Sequence, residues 1–187
     1  MSKSLTTTSK FLSLVLRHKP EEIGLQLNEE GWANVNELLE KAVQHGMTIS
    51  PALLDEVVNT NDKKRFAFNA DKSQIRANQG HSVDINLNLV AIEPPPILYH
   101  GTATRFLESI KEKGLLAGDR QHVHLSANQE VAVSVGARHG QPIVITVNAE
   151  QMAKDGLLFY VSDNGVWLTE KVPVGYLMLS SEQKSAL

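Results

Sequence analysis

Apolar residues recur at helical spacing three times in the first half of the chain, and the period changes after a run of prolines. Phe11, Leu12, Leu14, Val15 and Leu16 follow Thr7-Thr8-Ser9, whose hydroxyls suit a helix N-cap, and Pro20 ends that stretch shortly after Arg17. Asn34 is placed to cap a second helix with Val35, Leu38, Leu39, Ala42 and Val43 on its apolar face and Gly46 at its end. Ser50-Pro51 joins a capping hydroxyl to a proline that fits a first helical turn, and Leu53, Leu54, Val57 and Val58 form the face of a third helix. Arg65-Phe66-Ala67-Phe68 and Gln74-Ile75-Arg76-Ala77, separated by a polar turn, predict a hairpin. Three helices and a hairpin make a winged-helix pattern, which is a scaffold and not a function.

Pro94-Pro95-Pro96 lack backbone donors and favour extended geometry, so no helix or central strand passes through them. A linker is placed at 86–96, between a first domain at 1–85 and a second at 97–187. Beyond it, residues 97–99, 142–147, 165–169 and 176–179 read as strands, and 104–113 and 128–139 as helices. The whole is expected to be α+β. No Gly-x-Gly-x-x-Gly or Walker loop occurs, which removes the usual phosphate-cradling readings. Trp32 and Trp167 are read as core.

Composition narrows the classes. With 187 residues and 42% hydrophobic content, the chain can bury one good core or two small ones. It has no cysteine, so disulfides, thiolate zinc sites and cysteine nucleophiles are excluded. No stretch approaches the roughly 20 apolar residues of a membrane span, and the N-terminus lacks the apolar core of a signal peptide. A cytoplasmic protein without membrane contact is expected. The formal charge of −3 argues against a surface that coats nucleic acid, but leaves room for a local basic cleft.

Candidate chemistry sits in short strings. Arg17-His18 falls in the last turn of the first helix, where cations also complement the helix dipole. Arg65, at the mouth of the hairpin, joins Arg76 and Asn78-Gln79-Gly80-His81-Ser82 at its end, and guanidinium forks with amide or hydroxyl donors are what a phosphate needs. Tyr99-His100-Gly101-Thr102 is placed at a strand end, where glycine lets a ligand approach and an imidazole and hydroxyl can bind ribose. His122-Val123-His124-Leu125-Ser126 puts two imidazoles on one strand face. A metal site is one reading of that pair, but no well-spaced carboxylate supplies a third ligand.

Taken together, these strings resemble the NAD-dependent RNA 2′-phosphotransferases. The resemblance rests on the sequence 11–18 ending in Arg17-His18, Asn61-Asp62-Lys63-Lys64-Arg65-Phe66, Arg76 through Ser82, Tyr99-His100-Gly101-Thr102, Val123-His124-Leu125-Ser126 and Gly136-Ala137-Arg138, in that order over nearly the whole chain. It implies a winged-helix RNA lobe followed by an ADP-ribosyltransferase-like lobe, with substrate held between them. It further implies Arg17, His18, Arg65 and Arg138 as catalytic residues. His100, Gly101, Thr102, His124, Leu125 and Ser126 are implied to hold NAD, and Arg76, Gln79, His81 and Ser82 to bind RNA. NAD is then a consumed co-substrate, no metal is needed, and no obligate protein partner follows.

The implied reaction moves an internal RNA 2′-phosphate to ADP-ribose. Nicotinamide leaves first, giving an ADP-ribosylated 2′-phospho-RNA, and ADP-ribose 1″,2″-cyclic phosphate leaves second. Val166 falls where many ADP-ribosyltransferases carry a glutamate. A phosphate that is already anionic, with a second pKa of about 6, needs positioning and not a base. Two other readings stay open: ADP-ribosylation of another phosphorylated acceptor, and a winged-helix DNA regulator. The regulator is disfavoured because 51–60 carries Asp55 and Glu56 and no Lys or Arg.

Overall fold

Leu5, Leu12 and Leu16 share one buried stripe, and helix α1 (Lys3–Arg17) follows that stripe to its upstream end. It therefore starts before Thr7-Thr8-Ser9, which do not cap it. Thr8 and Ser9 are buried within it, and Thr7 Oγ1 donates to the Lys3 carbonyl, the back-bond of a hydroxyl inside a helix. The computed structural model describes residues 3–61 and 63–179, so Asp62 lies outside the described residues. The chain forms two compact units, Met1–Asn88 and Leu89–Leu187.

In the first unit, Pro20 opens a 3-10 turn (Pro20–Ile23) rather than merely closing α1. Asn34 caps α2 (Val35–Gln44) by accepting from the Glu37 N–H, and Ser50 caps α3 (Pro51–Asn59) by accepting from Leu53 N–H. Gly46 takes φ +77° after α2, and Met47 N–H returns to the Ala42 carbonyl, closing the helix as glycine allows. Val43, predicted on the apolar face, is exposed.

β1 (Ala33–Asn34), β2 (Phe66–Phe68) and β3 (Gln74–Ala77) form an antiparallel sheet with β3 central, pairing Ala33 with Ile75 and Phe66 with Ala77. Leu12, Val15, Leu16, Leu38, Leu54, Val57 and Ile75 make its core. Trp32 is only half-buried and lies beneath the Arg76 guanidinium, 4.5 Å from its ring centroid.

The second unit is built on β4 (Ile97–Ala103) and β7 (Pro142–Asn148), antiparallel over seven paired positions, with β11 (Leu177–Met178) on the far side of β7. A second sheet orders β6 (Val123–Leu125), β9 (Trp167–Thr169) and β8 (Tyr160–Val161), while β5 (Leu115–Leu116) pairs β10 (Lys171–Val172). Helices α4 (Leu107–Lys113), α5 (Gln129–Gly136) and α6 (Ala149–Lys154) complete it. Leu98, Ile145, Val147, Met152 and Phe159 form the core, with Trp167 packed against it. Mixed helices and antiparallel sheets make the protein α+β.

One join matters for the site. Tyr99 and Ser126 exchange both backbone bonds at 2.8 Å, tying β4 to the residue after β6. That bridge sets His100 beside His124.

Candidate functional site

In the first unit the expected cations gather at the end of α1. The chain after β3 folds back so that Ser82 N–H donates to the Arg17 carbonyl at 2.9 Å, and His18 Nδ1 lies 3.0 Å from Ser82 Oγ. Arg65 precedes β2; its carbonyl accepts from Arg17 Nη2 at 3.4 Å and from Asn78 N–H at 2.9 Å, while its Nη1 donates to Asn61 Oδ1 at 3.4 Å. Arg17, His18, Arg65 and Ser82 are thus joined by backbone and side-chain bonds. Arg17 also faces the Phe66 ring, 5.8 Å from its centroid.

Two expected RNA contacts sit deeper. Gln79 is half-buried with its Oε1 unpartnered. His81 is 1% exposed with both ring nitrogens unpartnered. Burial first, then the positive charges of Arg17, His18 and Arg76, push His81 down to about 3, so it is neutral beneath the cations.

In the second unit, Tyr99-His100-Gly101-Thr102 lies inside β4 and not at its end. His100 and Thr102 share one strand face and Gly101 takes the other. A Cβ on Gly101 would stand 1.7 Å from the Ala132 carbonyl oxygen, and one on Gly136 would stand 2.5 Å from the Thr102 carbonyl oxygen. The space predicted for a ligand over Gly101 is filled by α5, and the glycines let helix and strand touch.

Donor and acceptor chemistry assigns the imidazole tautomers. A carbonyl only accepts, so the 2.9 Å contact of His100 Nδ1 with the His124 carbonyl puts the proton on Nδ1 and leaves Nε2 an acceptor. A guanidinium only donates, so the 2.8 Å contact of Arg120 Nη1 with His124 Nδ1 leaves that imidazole protonated at Nε2. Burial, the largest influence, holds His100 below the ordinary histidine range against the opposing bond to His124. The two rings are therefore held in opposite tautomers, His100 protonated on Nδ1 and His124 on Nε2.

The neighbours build the framework. Leu125 is buried in the core, so its side chain faces away from solvent. Ser126 Oγ donates to the Asn128 carbonyl and accepts from Asn128 N–H, starting the turn that Asn128 caps into α5. Arg138 was expected on that helix but lies exposed in the turn after it, its N–H donating to the Val135 carbonyl. Val166 is half-buried in a turn closed by three hydrogen bonds with Ser162: its N–H donates to Ser162 Oγ, and its carbonyl accepts from Ser162 N–H and Ser162 Oγ. His122 instead meets the Tyr160 ring edge-on at 5.7 Å, so the two histidines of the His-x-His string do different work. No described group of three or more His, Asp or Glu could hold a metal ion.

Arg120 is the participant that sequence reasoning missed. Its only signal was a cation four residues before His124, which becomes meaningful only once the loop brings the side chains together.

The chain is thus α+β, with Arg17, His18 and Arg65 gathered in one unit and His100 bonded to the His124 carbonyl in the other. The family model "RNA 2′-phosphotransferase, Tpt1 / KptA family" matches residues 3–171, and the chain belongs to this family. It is 53% identical over 176 residues to the RNA 2′-phosphotransferase of Escherichia coli K12, covering 94% of this chain and 96% of that one. It is 54% identical over 178 residues to a "Probable RNA 2′-phosphotransferase" of Acaryochloris marina, covering 95% and 98%. A Flavobacterium johnsoniae protein of the same name is 56% identical over 173 residues, covering 92% and 95%.

Proposed function

We propose that the protein is an NAD-dependent RNA 2′-phosphotransferase, with its first unit a winged-helix RNA lobe and its second an ADP-ribosyltransferase-like lobe. The family match supports the phosphotransferase reading. The observation that carries it further is the matched stretch itself, which includes both the Arg17, His18 and Arg65 cluster and the His100 and His124 pair.

The residues present fit NAD as co-substrate. His100 Nε2 accepts from a ribose hydroxyl, His124 Nε2–H donates, and the Thr102 hydroxyl stands on the same strand face as His100. Bound NAD supplies an anomeric carbon whose bond to nicotinamide breaks as a phosphate oxygen attacks.

Arg17, His18 and Arg65 hold the RNA 2′-phosphate by charge-assisted bonds, and Arg138 meets charge on the transferred group. In the second step the 2″-hydroxyl of the ADP-ribosyl group attacks phosphorus and gives up its proton to solvent, the bond from phosphorus to the RNA 2′-oxygen breaks, and His18 delivers the proton that this oxygen needs. Val166 adds no negative charge against the incoming phosphate. The products are nicotinamide, ADP-ribose 1″,2″-cyclic phosphate and RNA with a free 2′-hydroxyl.

The test is incubation of the protein with a short RNA bearing one internal 2′-phosphate, with and without NAD, followed by mass spectrometry. Loss of the phosphate with appearance of the cyclic phosphate, both only with NAD, is expected. Phosphate loss without NAD, or intact RNA with it, overturns the reading.

A further inference from the structure

A groove of about 470 Å³ runs along α1 in the first unit, from Thr6 and Lys10 past Ser13 and Leu14 to His18 and Arg65. Residues four apart stack along one helix side, which is why Thr6, Lys10, Leu14 and His18 follow one another along it. At 1.5 Å per residue, the stretch from Thr6 to His18 is about 18 Å long. Stacked nucleotides advance about 3.4 Å each, so this is more length than one phosphate needs. Its cations are Lys10, His18 and Arg65, and no described carboxylate lines it.

The hydroxyls are already oriented. Ser13 Oγ donates its proton to the Ser9 carbonyl at 2.8 Å, so toward the groove it presents lone pairs. Ser9 Oγ accepts from Asn61 Nδ2, the same amide side chain whose oxygen holds Arg65. An outward acceptor beside an exposed lysine matches a ribose 2′-hydroxyl beside a phosphodiester, and only RNA carries that hydroxyl donor.

We propose that this groove is a subsite for the RNA flanking the 2′-phosphorylated nucleotide, with Lys10 on a phosphodiester and Ser13 Oγ accepting from a ribose 2′-hydroxyl. The assignment rests on the RNA reading above and adds to it a length and sugar preference. It makes α1 do two things: its last turn grips the reacting phosphate, and its earlier turns read the strand next to it.

The experiment measures binding by fluorescence anisotropy with the full chain and three labelled probes. One is a hexaribonucleotide with an internal 2′-phosphate, the second has deoxyriboses at its flanking positions, and the third is a 2′-phosphorylated dinucleotide. Wild type is expected to bind the ribose hexamer about three- to tenfold more tightly than the deoxy hexamer, the span of one hydrogen bond. Ser13→Ala removes that ratio and leaves the dinucleotide unchanged. Lys10→Ala weakens both hexamers, spares the dinucleotide, and lowers the slope of log affinity against log salt by about 0.7.

Equal binding of the two hexamers by wild type, or an unchanged ratio in Ser13→Ala, overturns the proposal. So does a Lys10→Ala effect equally large on the dinucleotide. Turnover is read separately: the expected binding pattern without phosphate loss keeps the subsite and removes the reaction, whereas turnover without the pattern does the reverse.

Discussion

Arg120 Nη1 donates to His124 Nδ1 over 2.8 Å, and this bond decides what His124 can offer a ligand. Because the guanidinium never accepts, His124 keeps its proton on Nε2. His100 is locked in the opposite sense through the His124 carbonyl. Arg120→Ala is expected to let both His124 tautomers coexist, seen as averaging of its ring nitrogen shifts in 15N spectra. A charged hydrogen-bond partner contributes about 1.5–3 kcal/mol, so roughly a tenfold or greater rise in KM for NAD should follow, exceeding any fall in kcat. A wild-type spectrum with the His124 proton on Nδ1 contradicts the assignment.

If His100 holds NAD as proposed, it gives that binding a defined acid limb. Burial leads in lowering its pKa; His139 and Arg120 add to that effect, and the bond to His124 opposes it. Its acceptor Nε2 is lost when the ring protonates. NAD affinity should therefore stay flat through neutral pH and weaken only below the ordinary histidine value of about 6.5. Calorimetric titration against pH checks this; a midpoint above that value sinks it.

Gly101 is a packing glycine. With the Ala132 carbonyl oxygen 1.7 Å from where a Cβ would stand, Gly101→Ala must push α5 off β4. Overpacking of this kind costs about 1–3 kcal/mol, and backbone in the way puts this case at the upper end or beyond. Urea unfolding followed through Trp167 in a Trp32→Phe background should show the loss. Unchanged stability would mean that the helix and strand separate freely.

The helices legible at both ends in the sequence were those with both a period and a cap. Asn34 and Ser50 each cap the helix predicted for them, and the Phe66 and Gln74 strands pair as a hairpin. The start of α1 was misread because Thr7, Thr8 and Ser9 have the chemistry of caps, whereas Leu5 continues the apolar stripe above them. β1 has two residues, too few for any period, and is fixed only by pairing with β3. Arg17, His18 and Arg65 were legible as cation-bearing strings, but not that the Arg65 carbonyl accepts from Arg17. The tautomer pair was illegible because it depends on the Tyr99 to Ser126 bridge, a contact across 27 positions of sequence that carries no local signal.

Arg138 stands exposed on the turn after α5. Little of the fold depends on its side chain, so Arg138→Ala should leave unfolding within about 0.5 kcal/mol of wild type. If it meets charge on the transferred phosphate, its loss should lower turnover by roughly a hundredfold or more. Arg138→Lys should recover only part, since a point charge replaces a fork. Near-normal turnover in the alanine variant removes Arg138 from the chemistry.

His81 makes the first unit sensitive to acid. It is 1% exposed and held at about 3, against about 6.5 in an unfolded chain. Between those values the unfolded state binds the proton and the folded state does not, so acid favours unfolding. The full contribution is present above about pH 6.5 and is lost as pH falls toward 3, by about 1.4 kcal/mol for each unit crossed. His100 and His122 are shifted in the same direction in the second unit and steepen the whole-chain profile there. His81→Leu removes one share of this slope and also removes two unpartnered nitrogens from beneath Arg17, His18 and Arg76. Urea unfolding of the first unit, followed through Trp32 in a Trp167→Phe background from pH 7.5 to 4.5, should show a flatter profile in the variant. Parallel profiles would mean that His81 takes up its proton in the folded state, with the three cations above it rearranging to allow it.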